Sequence, residues 1–297
     1  YAIAKHEFMY KNYDSFFDFL NWRVMTEGAK LNILSKMDSY VSKYFKNNLV
    51  KKIIEYQLVF LGSSPYDTPA LYNIMNYIDT EMGVFYPQGG TYKVIESLVA
   101  IANKHGVTIK TNAPVAKIQV EDGVTVGVLL ETGEMLAADI VISNADMEFT
   151  ESVLLDDNNR TYDKAYWNKK TMAPSAFIMY LGLKDKVPSL LHHSLLFSKD
   201  WKKNFAEIFD DPVFPTDPSF YVCAPSKTDP SVAPADKENL FVLVPIAAGL
   251  DYTEEELHSY RDKILETMEK EMNIPNLKER IEYEKLFCVK DFKAMYN

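Results

Sequence analysis

Glycine is scarce in this chain, which has 11 glycines among 297 residues, roughly half the usual proportion. They stand at positions 28, 62, 83, 89, 90, 106, 123, 127, 133, 182 and 249. No two of them are two positions apart, so the GxGxxG fingerprint of dinucleotide-binding proteins cannot occur in these residues. The pyrophosphate of a dinucleotide therefore has no visible cradle at a helix N-terminus here.

Cysteine is also rare, with only Cys223 and Cys288 present. They are 65 positions apart, which excludes a CxxC redox pair, and two thiols are too few for a disulfide framework. The five histidines show no HExxH spacing. His192 and His193 are adjacent, but neighbours in a strand point to opposite faces of a sheet, so we expect no metal site. A GxSxG elbow, a Cys–His constellation and a P-loop are absent as well.

The chain also has no excess of positive charge and no long apolar run. The 32 Lys and Arg residues stand against 42 Asp and Glu residues, giving a net charge of −10. A general nucleic-acid binder needs a basic face, so we expect no nucleic-acid partner. No uncharged apolar stretch reaches the ~18 residues of a membrane-spanning helix. The chain opens on Tyr1 without an initiator Met and stops at Asn297 without a tail, and we expect it to be a fragment.

What is present is ordinary globular composition, 47% apolar and 25% charged, which excludes a disordered chain. Residues 1–82 are predicted to form a helical region, because apolar residues recur at three- and four-residue steps through 31–45 and 53–61. Aromatic residues are dense near its start. They indicate either a packed helical layer or a surface that contacts lipid or covers a long apolar ligand. They are Phe8, Tyr10, Tyr13, Phe16, Phe17, Phe19 and Trp22.

Residues 83–150 are typical of part of a nucleotide-binding α/β domain. Asp122-Gly123 is a strong hairpin signal between two apolar stretches. The order of the elements predicts half of a doubly wound architecture with a small antiparallel meander inserted in it. The predicted elements are a loop at 86–90, a helix at 91–104, strands at 107–110, 114–120 and 124–130, and a buried strand at 139–143.

Residues 151–297 alternate apolar strands and helices and are predicted to form a mixed-sheet, substrate-type α+β domain. Strands are predicted at 176–183, 195–197, 220–224 and 240–246. Thr253 and Glu256 form a capping box before a helix with a clear apolar stripe. The fold class expected for the whole chain is therefore α/β, in an α+β mixed arrangement.

Several segments resemble one known family. The stretch GVFYPQGGT at 83–91, placed before a helix, resembles the central motif of bacterial-type phytoene desaturases, the carotenoid desaturase family of FAD-dependent oxidoreductases. KTNAPVAKI at 110–118 and SNAD at 143–146 are similar to segments at the same relative places in that family. FIMYLGL at 177–183 and FYVCAP at 220–225 resemble its substrate domain. The resemblance covers nearly the whole chain, and the order and spacing of its segments make it specific.

The resemblance implies a domain plan and an activity. Residues 1–82 would be a helical lid or membrane contact, 83–150 a partial Rossmann-like FAD-binding domain, and 151–297 the substrate-binding domain. The implied activity is desaturation of a long polyene such as phytoene by hydride transfer to FAD, in carotenoid biosynthesis. Quinone or oxygen is the implied electron acceptor.

The same resemblance places the family's GxGxxG segment before Tyr1 and a second FAD-contacting segment after Asn297. The fragment is therefore expected to lack FAD and to be inactive by itself. Because a polyene lives in the bilayer, the resemblance implies a cytoplasmic protein that associates peripherally with the membrane surface.

Cofactor contacts are implied at four positions. Val115 lies in the strand whose backbone contacts the adenine end in this superfamily; the alternative is an ordinary strand valine. Asn144, Ala145 and Asp146 close a predicted strand at the carboxyl edge of a sheet, where ligands bind in such folds. The alternative for these three residues is an Asx-type turn or helix cap.

Substrate contacts are implied at six positions. Gly89 and Gly90 either let the backbone approach substrate or flavin or form a simple helix-entry turn. Four aromatic residues either line a hydrocarbon tunnel or belong to the core. No catalytic residue is assigned, and Asp146 is named as a candidate proton acceptor. The four aromatic residues are Phe177, Tyr180, Phe220 and Tyr221.

Other functions remain open on these residues. A carotenoid isomerase, a ketolase-like oxidase and a retinoid saturase share the same fold and motifs. A different class, a flavin-free module that binds a polyene or lipid, also fits the apolar surface.

Overall fold

The computed structural model of the chain describes residues 5, 10–20, 22, 24, 26, 32, 34–170 and 172–296. Phe8 of the aromatic cluster lies outside these residues. The helices are α1 (Met37–Tyr44), α2 (Asn48–Glu55), α3 (Gln57–Phe60), α4 (Ile74–Tyr77), α5 (Tyr92–Lys104), α6 (Met147–Phe149), α7 (Lys164–Trp167), α8 (Trp201–Phe209), α9 (Glu254–Glu271), α10 (Leu277–Arg280) and α11 (Val289–Tyr296). The strands are β1 (Val115–Glu121), β2 (Val124–Leu130), β3 (Met135–Ala137), β4 (Ser175–Leu183), β5 (His193–Leu196), β6 (Phe220–Cys223), β7 (Glu238–Ile246) and β8 (Ile281–Phe287).

Shorter turns of helix complete the secondary structure. Among the described residues no helix is both long and apolar enough to cross a bilayer. The 3₁₀ turns are Phe16–Leu20, Ala70–Asn73, Asp157–Asn159, Pro225–Lys227 and Pro230–Val232, and the π turns are Ile78–Met82 and Thr150–Leu154.

The helical prediction for the first part of the chain is confirmed at residues 16–20, within residues 37–60 and at residues 70–82, whereas residues 10–15 are not helical. The Asn47 side chain accepts the backbone N–H of Leu49 at 2.8 Å and caps α2. Met37, Val41 and Leu58 are buried together as a small core of their own. The helical region therefore has its own packing, separate from the main core.

The hairpin prediction is also confirmed. β1 and β2 are antiparallel, and Glu121 pairs with Val124 across the turn. Asp122 and Gly123 both have positive φ, +49° and +78°, as a type I′ turn between two twisted strands requires. β3 completes a three-stranded sheet in the order β1-β2-β3.

Two predicted strands are wrong. Residues 107–110 and 139–143 form no strand, and among the described residues no strand pairs with either segment. Ile140 and Ile142 are 79% and 88% exposed instead of buried. An apolar run indicates a segment suited to burial, but a strand needs hydrogen-bonding neighbours to form. Helix α5 does form, but its apolar residues also lack a partner surface, since none of its side chains is buried.

The last part of the chain forms a five-stranded sheet with the strand order β5-β6-β7-β4-β8, in which every pair of neighbouring strands is antiparallel, whereas a mixed sheet was predicted. β4 and β7 pair over nine residues, from Ser175↔Ile246 to Leu183↔Glu238. The capping box before α9 is confirmed, since Glu256 N donates to Thr253 Oγ1 at 3.2 Å and Thr253 N to Glu256 Oε2 at 2.7 Å. The buried stripe of α9 packs on one face of the sheet as the main core; it comprises Leu257, Tyr260, Ile264, Leu265 and Met268.

The other face of this sheet is turned away from α9. Cross-strand pairing puts four side chains in one row on it: His193 opposite Cys223, Cys223 opposite Phe241, and Phe241 opposite Tyr180. The helical region packs beside β5, where Lys52 Nζ donates to the Ser198 carbonyl at 2.6 Å. The site described next lies between these two parts.

Candidate functional site

The loop before α5 is tied to the loop after β6. Gly89 N donates to Asp229 Oδ2 at 2.7 Å, and Gly90 N donates to the Pro87 carbonyl at 3.1 Å. Both glycines have positive φ, +85° and +97°, which L residues with a side chain rarely adopt. The pair forms a helix-entry turn, one of the two roles expected for it. A contact of Gly89 or Gly90 with substrate stays a prediction.

Aromatic and thiol side chains gather beside this loop, in a group that we call the histidine cluster: Tyr86, His192, His193, Tyr221 and Cys223. The rings of Tyr86 and His192 are 4.9 Å apart, and those of His192 and His193 are 4.2 Å apart. His193 Nδ1 and the Tyr221 hydroxyl are 2.6 Å apart. The expectation that the two histidines point to opposite faces is wrong, because His192 lies in a bend before β5 rather than in the strand.

Burial shifts the ionisation of this cluster. Desolvation raises the pKa of Tyr221 well above its usual range, and its hydrogen bond with Cys223 adds to the effect. Desolvation also raises the pKa of the Cys223 thiol, and it lowers the pKa of His192 with help from nearby His193. Each of these three shifts disfavours the charged form of its group.

An apolar cleft of about 520 Å³ opens beside the cluster, between the helical region and β5–β6. Tyr56, Leu195 and Tyr221 also line a smaller apolar pocket, so the two spaces adjoin. The acidic group of the cleft is paired, since Asp79 accepts hydrogen bonds from the Tyr56 hydroxyl and from Gln57 Nε2. The lining consists of Tyr56, Gln57, Met75, Ile78, Asp79, Val84, His193, Leu195 and Tyr221.

Tyr56 supplies a second hydroxyl group to the cleft that is held in its neutral form, beside that of Tyr221. Burial raises its pKa to about 12, and the hydrogen bond to Asp79 acts in the same direction. The cleft therefore combines apolar walls with an acidic group that is hydrogen-bonded within the protein, which suits a long apolar ligand.

The structure separates the four aromatic residues predicted to contact substrate. Tyr180 and Tyr221 lie on the cleft side of the sheet, and Tyr180 remains 41% exposed. Phe177 and Phe220 belong to the buried core on the α9 side, with the Phe177 ring 5.6 Å from that of Tyr260. This placement favours the core role for these two residues, although Phe220 also borders the smaller pocket.

The predicted cofactor residues do not line the cleft. Asn144, Ala145 and Asp146 are exposed, and Val115 is partly buried at the start of β1. Asp146 Oδ1 accepts the N–H of Phe149 at 3.0 Å and caps α6, which is the alternative stated for it. These groups can contact part of a dinucleotide, but the chain has no glycine-rich helix start for its pyrophosphate. A complete FAD does not fit these residues alone.

Sequence reasoning missed a second, polar pocket of about 350 Å³ near α2 and α8. Glu55 lines it and is only 2% exposed. Desolvation, reinforced by Asp38 and partly opposed by Lys51, raises the pKa of Glu55 to about 7. No spacing in the sequence marks this carboxyl, because its burial comes from packing between distant segments.

Comparisons with known proteins identify the class. Residues 5–296 match the family described as "Flavin containing amine oxidoreductase", and the chain belongs to that family. It is 43% identical to a carotenoid 3,4-desaturase from Haloarcula japonica, covering 100% of this chain and 60% of that protein. It is 35% identical to a zeta-carotene-forming phytoene desaturase from Myxococcus xanthus, covering 96% of this chain and 55% of that protein. The resemblance to the carotenoid desaturase family is confirmed.

The fold is shared with a solved structure. An oxidoreductase from Methanosarcina mazei aligns with a TM-score of 0.54 and 20% identity, covering 93% of this chain and 62% of that one. The expected α/β fold class of flavin-dependent oxidoreductases is therefore confirmed, although the strands at 107–110 and 139–143 are not formed. The chain spans 60% and 55% of the two curated relatives named above.

Proposed function

We propose that this chain is the substrate-binding part of an FAD-dependent desaturase that acts on a long polyene of the carotenoid type. The observation that carries the proposal is the apolar cleft beside β5–β6, whose Asp79 carboxylate is hydrogen-bonded to Tyr56 and Gln57 within the cleft. A hydrocarbon offers no hydrogen bonds, so a binding surface for it must satisfy its own donors and acceptors. The two relatives named as desaturases support the same reaction class.

The residues of the cleft would hold and shield the polyene. Leu195 and Val84 supply apolar walls, and Tyr180 and Phe241 extend that surface along the sheet, their rings 5.5 Å apart. The Tyr221 hydroxyl, which burial keeps in its neutral form, places no charge against the ligand. FAD, when bound, would supply the hydride acceptor. Val115 and residues 144–146 are proposed to contact it, as the resemblance implies.

Polyene binding can be tested directly with this chain. Leu195→Arg places a charge in the cleft, and we expect it to lower the affinity for a C40 carotenoid in detergent micelles at least tenfold. Val124→Arg is the matched control, because Val124 is an exposed apolar strand residue in the other sheet. Binding is measured by the shift of the carotenoid absorption band. Equal affinity of the two variants would contradict the proposed cleft.

FAD binding and the reaction need a second experiment. We propose that these 297 residues bind FAD weakly and do not desaturate by themselves, because they lack GxGxxG and leave the apolar side of α5 uncovered. A longer chain that adds a GxGxxG segment should purify yellow and convert phytoene to redder polyenes, as followed by chromatography. Oxygenated, isomerised or saturated products would point to the ketolase-like, isomerase or saturase alternatives. Carotenoid binding without flavin or turnover would indicate a binding module.

Membrane contact is proposed through the aromatic residues near the start. Phe17 and Trp22 are 77% and 79% exposed. With a net charge of −10, apolar insertion would have to dominate over attraction to anionic lipid. Phe17→Ser with Trp22→Ser should weaken liposome binding, whereas Tyr283→Ser, at an exposed ring on β8, should not. Unchanged liposome binding would place the contact elsewhere.

A further inference from the structure

Three potential metal ligands converge in the histidine cluster. His192, His193 and Cys223 each offer one ligand atom, and these three atoms lie within 4.8 Å of one another. The register of β5 and β6 explains part of this, since His193 pairs directly with Cys223 and their side chains share a face. His192 joins them because the chain bends before β5 begins.

One ring nitrogen has no partner. His192 Nε2 is buried and has no hydrogen-bond partner in the part of the chain that the structure describes. A buried polar atom without a partner is unfavourable by about 1–3 kcal/mol and is uncommon in native proteins. Its position beside a second imidazole and a thiol suggests a ligand that the three groups would share.

The other ring nitrogens are already held. His192 Nδ1 lies 2.5 Å from Thr228 Oγ1, and His193 Nδ1 lies 2.6 Å from the Tyr221 hydroxyl. For His192 this is the usual outer arrangement of a metal-binding histidine, in which one nitrogen is fixed by a hydrogen bond and the other, Nε2, is left to coordinate. Both rings are therefore oriented before any ion arrives.

We propose that His192, His193 and Cys223 bind one divalent transition-metal ion of the Zn²⁺ class. Two imidazoles and a thiolate are a donor set that suits Zn²⁺ or Co²⁺ and disfavours Mg²⁺ and Ca²⁺, which prefer oxygen. On binding, the Cys223 thiol loses its proton to solvent and the sulfur coordinates the ion. Three protein ligands leave a fourth tetrahedral position for water or another ligand.

The site lies at the wall of the apolar cleft, because His193 is one of the residues that line it. A bound ion would join the bend before β5 to the end of β6. The proposal stands independently of the polyene reaction, since it rests only on the arrangement of these three side chains and their hydrogen bonds.

Cobalt titration tests the proposal. The reduced chain, freed of metal by chelator, is titrated with Co²⁺ alone and followed by absorption. We expect one Co²⁺ per chain, visible bands of tetrahedral intensity and a near-ultraviolet thiolate-to-cobalt charge-transfer band. Cys223→Ser should remove the charge-transfer band. His192→Ala and His193→Ala should each lower the Co²⁺ affinity at least tenfold.

Two variants at residues outside the proposed site serve as controls. Cys288→Ser changes the other thiol, which is fully buried in the main core, and should leave the cobalt spectrum intact. His258→Ala should leave the affinity unchanged. Circular dichroism is used to check that each variant is folded. Zn²⁺ should raise the melting temperature of the parent chain but not that of Cys223→Ser. A weak octahedral spectrum without a charge-transfer band in the folded parent chain would overturn the proposal.

Discussion

The backbone N–H of Gly89 donates a 2.7 Å hydrogen bond to the carboxylate of Asp229, 140 residues further along the chain. Asp229 is 2% exposed and also accepts from the N–H and the hydroxyl of Ser231, at 2.9 and 2.5 Å. These bonds, with those from Ser231 leading, lower the pKa of Asp229. One carboxylate thus holds the entry loop of α5 against the loop that follows β6.

The first prediction concerns this link. Asp229→Ala removes the acceptor of the Gly89 N–H, so we expect residues 86–91 to exchange their amide hydrogens at least tenfold faster. Asp229→Asn keeps an acceptor oxygen and should retain most of the protection. Hydrogen exchange followed by mass spectrometry on that peptide measures the effect. Equal protection in the parent chain and Asp229→Ala would show that other contacts hold the loop.

The second prediction separates the two faces of the main sheet. Phe177→Ala leaves a cavity under α9, where the ring is completely buried, and should lower the free energy of unfolding by about 3–5 kcal/mol. Tyr180→Ala, on the cleft side, should lower it by about 1 kcal/mol or less. Urea denaturation measures both. Tyr180→Ala should also weaken carotenoid binding, and a smaller loss of stability in Phe177→Ala than in Tyr180→Ala would contradict this assignment.

The third prediction concerns the start of α9. Thr253→Ala removes the side chain that accepts the Glu256 N–H and should lower the free energy of unfolding by about 0.5–2 kcal/mol. Thr267→Ala is the control within the same helix. Its hydroxyl donates to the Lys263 carbonyl one turn earlier, and alanine has a higher helix propensity. Thermal or urea unfolding should therefore show a loss for Thr253→Ala and none for Thr267→Ala.

The fourth prediction is a pH dependence that originates at Glu55. Its pKa is raised from 4.5 to about 7 in the folded protein, so between these pH values the folded state binds a proton that the unfolded state has lost. Stability from this group is therefore complete below about pH 4.5 and falls as pH rises, levelling off above about pH 7. The other ionisable groups that line its pocket are Asp38, Lys51, Lys52, Tyr66, Lys199, Asp200 and Lys202.

Glu55→Gln isolates this contribution, because it keeps the shape and removes the titration. The unfolding free energy of the parent chain, taken relative to that of Glu55→Gln, should fall by about 1–3 kcal/mol between pH 5 and 8. Urea denaturation at intervals of half a pH unit provides the measurement. A difference that stays constant or rises with pH would show that Glu55 is ionised throughout.

Sequence patterns were most successful where the signal is local. Asp122-Gly123 specifies its turn through the φ values that it permits, and Thr253 with Glu256 marks a helix start through a reciprocal hydrogen bond. Patterns of apolar residues were less successful for residues 139–143, since an apolar run states a preference for burial and not the presence of a partner strand. The site residues 144–146 illustrate the same limit, because a cap and a cofactor contact use the same side chains.

The sequence by itself determined the antiparallel hairpin, the capped helix α9 and the absence of a GxGxxG cradle, since each depends on residues close together in the chain, and it determined the family through the order and spacing of several short segments. Only the tertiary structure decided that Phe177 faces the core while Tyr180 faces the cleft, that Glu55 is buried, and that His192, His193 and Cys223 meet. Those facts depend on strand register, on which face each helix covers and on a bend before β5. The strand register and the packing of helices on the sheet join segments that are distant in sequence, so no local pattern specifies them.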